Sequence, residues 1–156
     1  MAYTILKLSC IGCGECSKPE TRYCAQNDDL IQVLEDIDKA NSLVFGSPVY
    51  IGFVTGAGKS LIDRLYTFLK TEEKSKRLKS KVFTNVITQG GDIKYFEYVR
   101  EYFKEWFIGY LGMKDGGSMV AAGLGSVNDL QKQPEIFLKT KEIANKIDSF
   151  KAENNN

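Results

Sequence analysis

The chain has 156 residues, 43% hydrophobic and 26% charged, the size and balance of one globular domain built around a single core. Its 21 basic and 20 acidic side chains leave a formal net charge of +1, so no global field points to nucleic acid, a membrane surface or a strongly charged substrate. Histidine is absent, which excludes Ser-His-Asp and Cys-His catalysis and histidine-ligated zinc, and leaves proton transfer to carboxylates, tyrosines, lysines or a cofactor.

In chain order, Tyr3–Leu8 (YTILKL) predicts a short strand running into a loop. The opening MAYTILKLSC lacks a charged leader, a long apolar stretch and a small-residue cleavage site, and no apolar run is long enough to span a membrane. The expected location is therefore cytoplasmic, with no membrane partner. The loop holds all four cysteines, Cys10, Cys13, Cys16 and Cys24, in the pattern C-x2-C-x2-C-x7-C. Three thiolates at this spacing can curl around one corner of an inorganic cube, and the fourth closes the cage after a longer excursion. The same pattern without a second set of four points to one 4Fe–4S cluster on all four thiolates. Zinc, which prefers two separated Cys-x-x-Cys hooks, and plain thiols are the alternatives. Gly12 and Gly14 let the backbone bend between ligands, and Lys18 and Arg22 are candidates to offset cluster charge.

Asn27, Asp28 and Asp29 are good caps for a helix over LIQVLEDIDKA, where Leu30, Ile31, Leu34 and Ile37 recur at helical spacing. SLVFG predicts a buried parallel strand. The segment SPVYIGFVTGAGKSLIDR, Ser47–Arg64, ends in Gly-Lys-Ser like a P-loop. The required first glycine would fall at position 53, which is Phe53, and Gly52 is one residue too far. A phosphate-cradling loop of the wrong length brings the wrong amides together, so the nucleotide-hydrolase reading is set aside. KSLIDRLYTFLK then places Leu61, Ile62, Leu65, Phe68 and Leu69 on one helical face, and TEEKSKRLKSK reads as a solvated connection.

VFTNVITQGG predicts the next strand and DIKYFEYVREYFKEWFIGYLG one long helix, with an apolar stripe of Phe96, Val99, Phe103, Phe107 and Tyr110. Tyr95, Tyr98, Tyr102 and Trp106 lie beside that stripe and suit either core packing or a partner. SMVAAGLG gives a last strand and PEIFLKTKEIANKIDSF a last helix with Pro134 in its first turn. Strands alternating with helices predict an α/β domain over residues 1–150 with a parallel sheet, followed by a disordered tail at 151–156. Every glycine-rich segment follows a strand, which gathers these loops at the carboxyl edge of the sheet, where ligands bind in such folds.

Read together, the cysteine loop and the Ser47–Arg64 segment resemble the iron–sulfur flavoprotein family, a branch of the flavodoxin-like group that includes the NAD(P)H-dependent FMN reductases. The pattern S-P-V-Y-x-G-x6-K-x2-I/F-D-R is matched at Ser47, Pro48, Val49, Tyr50, Gly52, Lys59, Ile62, Asp63 and Arg64. The resemblance continues through VITQGG and SMVAAG to the final helix. It implies a flavodoxin-like, doubly wound parallel sheet of four strands with the first βα unit missing. It also implies a flavin-dependent oxidoreductase that passes electrons between a 4Fe–4S cluster and FMN. In such proteins Ser47, Pro48, Val49, Tyr50, Ile51 and Gly52 would line the flavin ring, with Gln89, Gly90 and Gly91 approaching its other side. Asp63 and Arg64 are expected in a structural ion pair or a helix-surface network and not in catalysis. The expected partners are an electron donor such as ferredoxin or NAD(P)H, and further copies of the chain in a dimer or tetramer.

The pattern departs from the family at one place. Relatives begin with a strand, a Ser/Thr-rich loop for the FMN phosphate and a helix, all before the strand that leads to the cysteines. Here the sequence opens at that second strand, so the phosphate-anchoring amides are expected to be missing and one side of the sheet uncovered. A displaced start, a reduced variant and a second subunit filling the gap are each compatible with this. A flavin-free iron–sulfur electron carrier or redox sensor, and a zinc-stabilised interaction domain, are the competing functions.

Overall fold

The computed structural model describes residues 9–153; the strand expected at Tyr3–Leu8 lies outside the described residues. The regular elements are α1 (Leu30–Lys39), β1 (Ser42–Tyr50), β2 (Phe53–Val54), α2 (Gly56–Arg64), α3 (Glu72–Lys79), β3 (Val82–Thr88), α4 (Glu97–Phe103), β4 (Lys114–Ala121) and α5 (Pro134–Glu153). The sheet runs β2-β1-β3-β4. Strands β1, β3 and β4 are parallel, as the α/β reading expects, and β2 is antiparallel to β1. A four-stranded flavodoxin-like sheet is thus present, but its fourth member is the short hairpin strand Phe53–Val54.

One face of the sheet carries Phe45, Phe83 and Ile87 into the main core. There Phe83 stacks on Phe107 at 4.2 Å between ring centres and on Phe103 at 5.8 Å. Val99, Leu34, Ile37, Leu65 and Phe68 complete this layer, each buried side chain contributing roughly 1.5–3 kcal/mol. The opposite face is covered by α5 where it crosses β4. Val44, the register partner of Thr84 on that face, is 56% exposed. The outer edge of β1 has no strand partner over Ser42–Pro48 among the described residues.

Four local differences from the sequence reading have physical causes. First, SPVY is strand and not loop: β1 continues through Tyr50 because Ser47 and Pro48 pair with Ile87 and Thr88. Second, TEEKSKRLKSK contains α3. Thr71 caps it by accepting from the Lys74 N–H, Glu72 and Glu73 fill its first turn, and Lys76, Arg77 and Lys79 fill its last, a match to the helix dipole. Third, the predicted long helix is split into a 3-10 turn at Ile93–Phe96, α4, and a π-helical segment at Lys104–Tyr110. The wider π turn, seen in the bond from the Leu111 N–H to the Trp106 carbonyl, shifts the stripe. Leu111 is buried in its place and Tyr110 is 63% exposed. Fourth, α5 continues to Glu153, three residues into the predicted tail.

Candidate cofactor site

The hairpin at the end of β1 is built by two residues with positive φ, Ile51 at 47° and Gly52 at 83°, between the paired Tyr50 and Phe53. Positive φ at both central positions is the type I′ arrangement that matches strand twist. The Ser47 hydroxyl, almost buried, accepts from the Thr55 N–H and donates to the Pro48 carbonyl, so it latches the hairpin. Thr55 then caps α2 by accepting from the Gly58 N–H. The Gly-Lys-Ser sequence is therefore the first turn of an ordinary capped helix, and Lys59 pairs with Asp63 at 2.5 Å. Tyr50 is 66% exposed and Ile51 fully so, which leaves the tip of the hairpin open as a surface.

The register of β1 against β3 sets Pro48 beside Thr88, so Ser47–Gly52 and Gln89–Gly91 leave neighbouring strands at the same edge. Both groups of predicted residues are brought together here. The loop after β4 locks onto the second group. The Gln89 N–H donates to the Ala121 carbonyl, and the Leu124 and Gly123 N–H groups donate to the carbonyls of Gln89 and Gly91, at 2.9–3.0 Å. The Gln89 side chain, 4% exposed, donates through Nε2 to the Asp92 carbonyl, while its Oε1 is buried without a partner. A buried acceptor left open at a strand end is a place for an N–H donor from a ligand. Tyr98 reaches over from α4, its hydroxyl donating to the Gly52 carbonyl.

The cysteine loop is held differently. Lys74, from α3, donates through Nζ to the carbonyls of Cys16 at 3.2 Å and Thr21 at 2.9 Å. Thr67 donates to the Tyr23 carbonyl. The Tyr23 hydroxyl donates to Asp38, which also takes Arg77 at 2.5 Å. Arg64, 1% exposed at its side chain, clamps Asp28 with two bonds of 2.9 and 3.0 Å at the far end of the loop. The expected structural role of Asp63 and Arg64 holds, but each has a different partner. Asp28 also accepts from the Leu30 N–H, starting α1.

Cys10 and Cys13 are exposed, and Cys16 and Cys24 half-buried. Among the described residues no group of three or more cysteine, aspartate, glutamate or histidine side chains is gathered into a metal-binding set. The donor chemistry nonetheless suits a thiolate-ligated group. Burial pushes the Cys16 thiol up, Lys70 opposes the shift, and Cys24 and Cys10 add to it, so these thiols lie within electrostatic reach of one another. Gly12 and Gly14, at φ 66° and 76°, have no neighbouring atom within 4 Å of where a side chain would begin, so the backbone between ligands is free to close. Lys18 and Arg22 are engaged with Glu15 and Glu35. Lys70, which the sequence reading passed over, is the cation that opposes the rise at Cys16; bonding to Tyr66 raises its own pKa first, and Cys16 and Cys10 add to that.

Beside the cysteine loop lies a cavity of about 420 Å³, walled by Cys10 and Gly12 on one side and by Tyr66, Tyr102, Trp106 and Tyr110 on others. Tyr102 joins it to the hairpin, its ring meeting Phe53 edge-on at 5.0 Å. The aromatic flank of α4 is thus neither pure core nor bare surface.

Residues 4–126 match the model of the family described as NADPH-dependent FMN reductase. The chain belongs to that family. A protein of Archaeoglobus fulgidus named iron–sulfur flavoprotein is 41% identical over 81 residues, which are 52% of this chain and 37% of that protein. A second A. fulgidus iron–sulfur flavoprotein is 28% identical over 137 residues, 85% of this chain and 59% of its own. One from Methanocaldococcus jannaschii is 37% identical over 65 residues, 42% of this chain and 32% of that one. The matches therefore span between about a third and three fifths of the length of these curated relatives. Among solved structures, the Trp repressor binding protein of Bacillus subtilis superposes with a TM-score of 0.56 at 18% identity, over 77% of this chain and 69% of the other. The apo form of an NADH:FMN oxidoreductase superposes with a TM-score of 0.51 at 20% identity, over 85% and 63%. Both share the fold. No helix among the described residues is long and apolar enough to cross a membrane.

Proposed function

We propose that this family member is an oxidoreductase of the iron–sulfur flavoprotein type, in which Cys10, Cys13, Cys16 and Cys24 hold a 4Fe–4S cluster. The FMN ring would lie against Ser47–Gly52 and Gln89–Gly91. When bound, the cluster would supply single electrons and the flavin would convert between single and paired ones. The chain's own residues do the positioning. Lys74, Thr67 and Arg64 fix the ends and middle of the cysteine loop by bonding its carbonyls and its flanking aspartate. The hairpin offers Tyr50 and the edge of Gly52 as a wall, and Gln89 Oε1 offers an acceptor to a ring N–H. No side chain at this edge is an evident substrate-selecting acid or base, so the residues bind and orient while the cofactors carry the redox change. An NAD(P)H-type or ferredoxin-type donor, and assembly of several copies, belong to the same reading.

The observation that carries the proposal is the unpartnered, buried Gln89 Oε1 at the shared edge of two glycine-rich strand ends, in a chain that also carries a cage-spaced cysteine loop. Anaerobic purification followed by iron, sulfide, zinc and flavin analysis tests it. Four iron and four sulfide per chain, on the stoichiometry of the cluster, with bound or restorable FMN are expected. Iron and sulfide without flavin, even after FMN is added, would support the flavin-free carrier instead, and zinc alone the interaction domain.

A further inference from the structure

The sequence offered Lys18 and Arg22 as countercharges for a thiolate-ligated group, and the structure pairs both with carboxylates, Glu15 and Glu35. Lys76 and Arg77 of α3 are paired too, with Glu72 and Asp38. Two lysines beside the cysteine loop are not. Among the described residues neither Lys70 nor Lys74 has a carboxylate partner. Lys74 is 7% exposed, and its ammonium sits inside the excursion from Cys16 to Cys24, donating to the carbonyls of Cys16 at 3.2 Å and Thr21 at 2.9 Å. Those bonds leave one N–H of the ammonium without an acceptor among the described residues. Lys70 holds its Nζ 3.9 Å from the centre of the Tyr66 ring, and Tyr66 shares a cavity wall with Cys10.

Other buried cations are compensated. Arg64 has Asp28. Lys81 donates to the carbonyls of Asp38 and Ala40, at the negative end of α1 and within reach of the Asp38 charge. Lys74 has neither a carboxylate nor the end of an α-helix, and a buried charge without a counter-ion is costly. An anion held by the cysteine loop would remove that cost.

We propose that Lys70 and Lys74 are the countercharges of the cluster and raise its reduction potential, an inference that rests on the cluster assignment above. Four thiolates leave the filled loop net negative, and each electron accepted makes it more so. A fixed cation at close range therefore favours the reduced form. Lys74 acts from inside the fold, where salt screens little, and Lys70 from a half-buried position open to salt.

The test is a dithionite titration of the anaerobically reconstituted full chain, with the reduced cluster followed by electron paramagnetic resonance. One electron passes from dithionite to the cluster, and the midpoint is read directly. Lys70 touches no loop carbonyl, so its variants form a charge series on an unchanged loop. Lys70→Arg should keep the parent midpoint. Lys70→Gln should lower it by a severalfold change in the one-electron equilibrium constant, and Lys70→Glu by about the square of that factor. The Lys70→Gln shift should shrink with added salt. Lys74→Met, in the chains that still take up iron, should lower the midpoint by about tenfold or more, which is about 59 mV for one electron, and salt should leave that shift in place. If the Lys70 series is flat, or Lys74→Met keeps the parent midpoint, the countercharge assignment is overturned while the cluster reading stands. An equal fall in Lys70→Arg and Lys70→Glu shows a structural effect and overturns it as well. A parent chain that takes up no iron and sulfide overturns the cluster reading itself, and this inference with it.

Discussion

The hairpin edge and the cysteine loop, the two parts of the candidate site, are organised by different forces. The hairpin edge is backbone-built: strand register places Pro48 beside Thr88, and amide-to-carbonyl bonds tie the loops after β3 and β4 together. The cysteine loop has little backbone order of its own beyond a short turn at Glu15–Ser17. Long side chains from elsewhere hold it, chiefly Arg64 and Lys74. A site built by register is preformed whether or not a ligand is there, whereas one hung from side chains leaves its thiols to be drawn in by whatever they bind. Mutation should therefore separate the two regions.

The largest separation is expected at Arg64. Its guanidinium and the Asp28 carboxylate are both buried, so removing one leaves the other uncompensated at a cost of about 3–5 kcal/mol. Arg64→Met should lower the urea midpoint sharply, and Asp28→Leu with Arg64→Met should restore much of it. A single-mutant loss below about 1 kcal/mol would mean that the clamp is not what holds the end of the loop. Lys74→Met comes next. It keeps the aliphatic stem and orphans two carbonyls, Cys16 and Thr21, for about 1–3 kcal/mol. Hydrogen exchange should quicken over residues 14–24 and stay unchanged at Gln89–Gly91, and anaerobic reconstitution should incorporate less iron. Equal quickening in both regions would erase the contrast.

Two glycines sharpen the comparison at smaller scale. Gly52 and Gly12 both have positive φ, so alanine strains either by about 1–2 kcal/mol. At Gly52 the added carbon would also lie 2.8 Å from the Tyr98 hydroxyl, while at Gly12 nothing lies within 4 Å. Gly52→Ala should therefore cost more by chemical denaturation and release Tyr98, visible as a change in tyrosine fluorescence. Equal costs would show the hairpin to be as loosely packed as the cysteine loop.

Much of this was legible in the sequence because it depends on short periodicities. The three parallel strands, α5 with Pro134 at its start and the convergence of glycine-rich loops follow from local patterns that packing leaves intact. What was not legible depends on partners far along the chain. Strand extension through Ser47–Tyr50 is decided by pairing with β3, which no property of Pro48 announces. Leu78 is the one apolar residue of helix α3, so its apolar signal is nearly silent, although the Thr71 cap and the ordered charges were readable. The π turn exchanges Tyr110 for Leu111 by changing the residues per turn, which a fixed period of 3.6 cannot anticipate. For the candidate site, ligand spacing named the cysteines and the motif named the hairpin. The tie from Lys74, the cation at Lys70 and the open acceptor on Gln89 emerge only in three dimensions.

The smallest expected effect concerns the loop after β4, which backs the hairpin edge. Its continuation is fixed by a capping box, in which Asp129 accepts from the Gly125 and Ser126 N–H groups and pairs with Lys132. The Lys132 bond, with those to Ser126, holds the Asp129 carboxyl at a pKa of about 2, below the ordinary 3.8. A depressed carboxylate pKa stabilises the folded chain above the unfolded value and loses that contribution as pH falls through the folded one. The cap should thus be intact at pH 4 and dissolve on approach to pH 2, with an NMR titration midpoint near 2. Ser126→Ala removes the hydroxyl that donates to the Asp129 carboxylate but keeps the backbone N–H, so the midpoint should rise only part of the way towards 3.8, and Lys132→Gln should raise it further. Because the group is exposed, global stability should barely change in either variant. If instead Ser126→Ala loosens Gln89–Gly91 in hydrogen exchange, the hairpin edge leans on side-chain ties as the cysteine loop does, and the two regions differ in degree and not in kind.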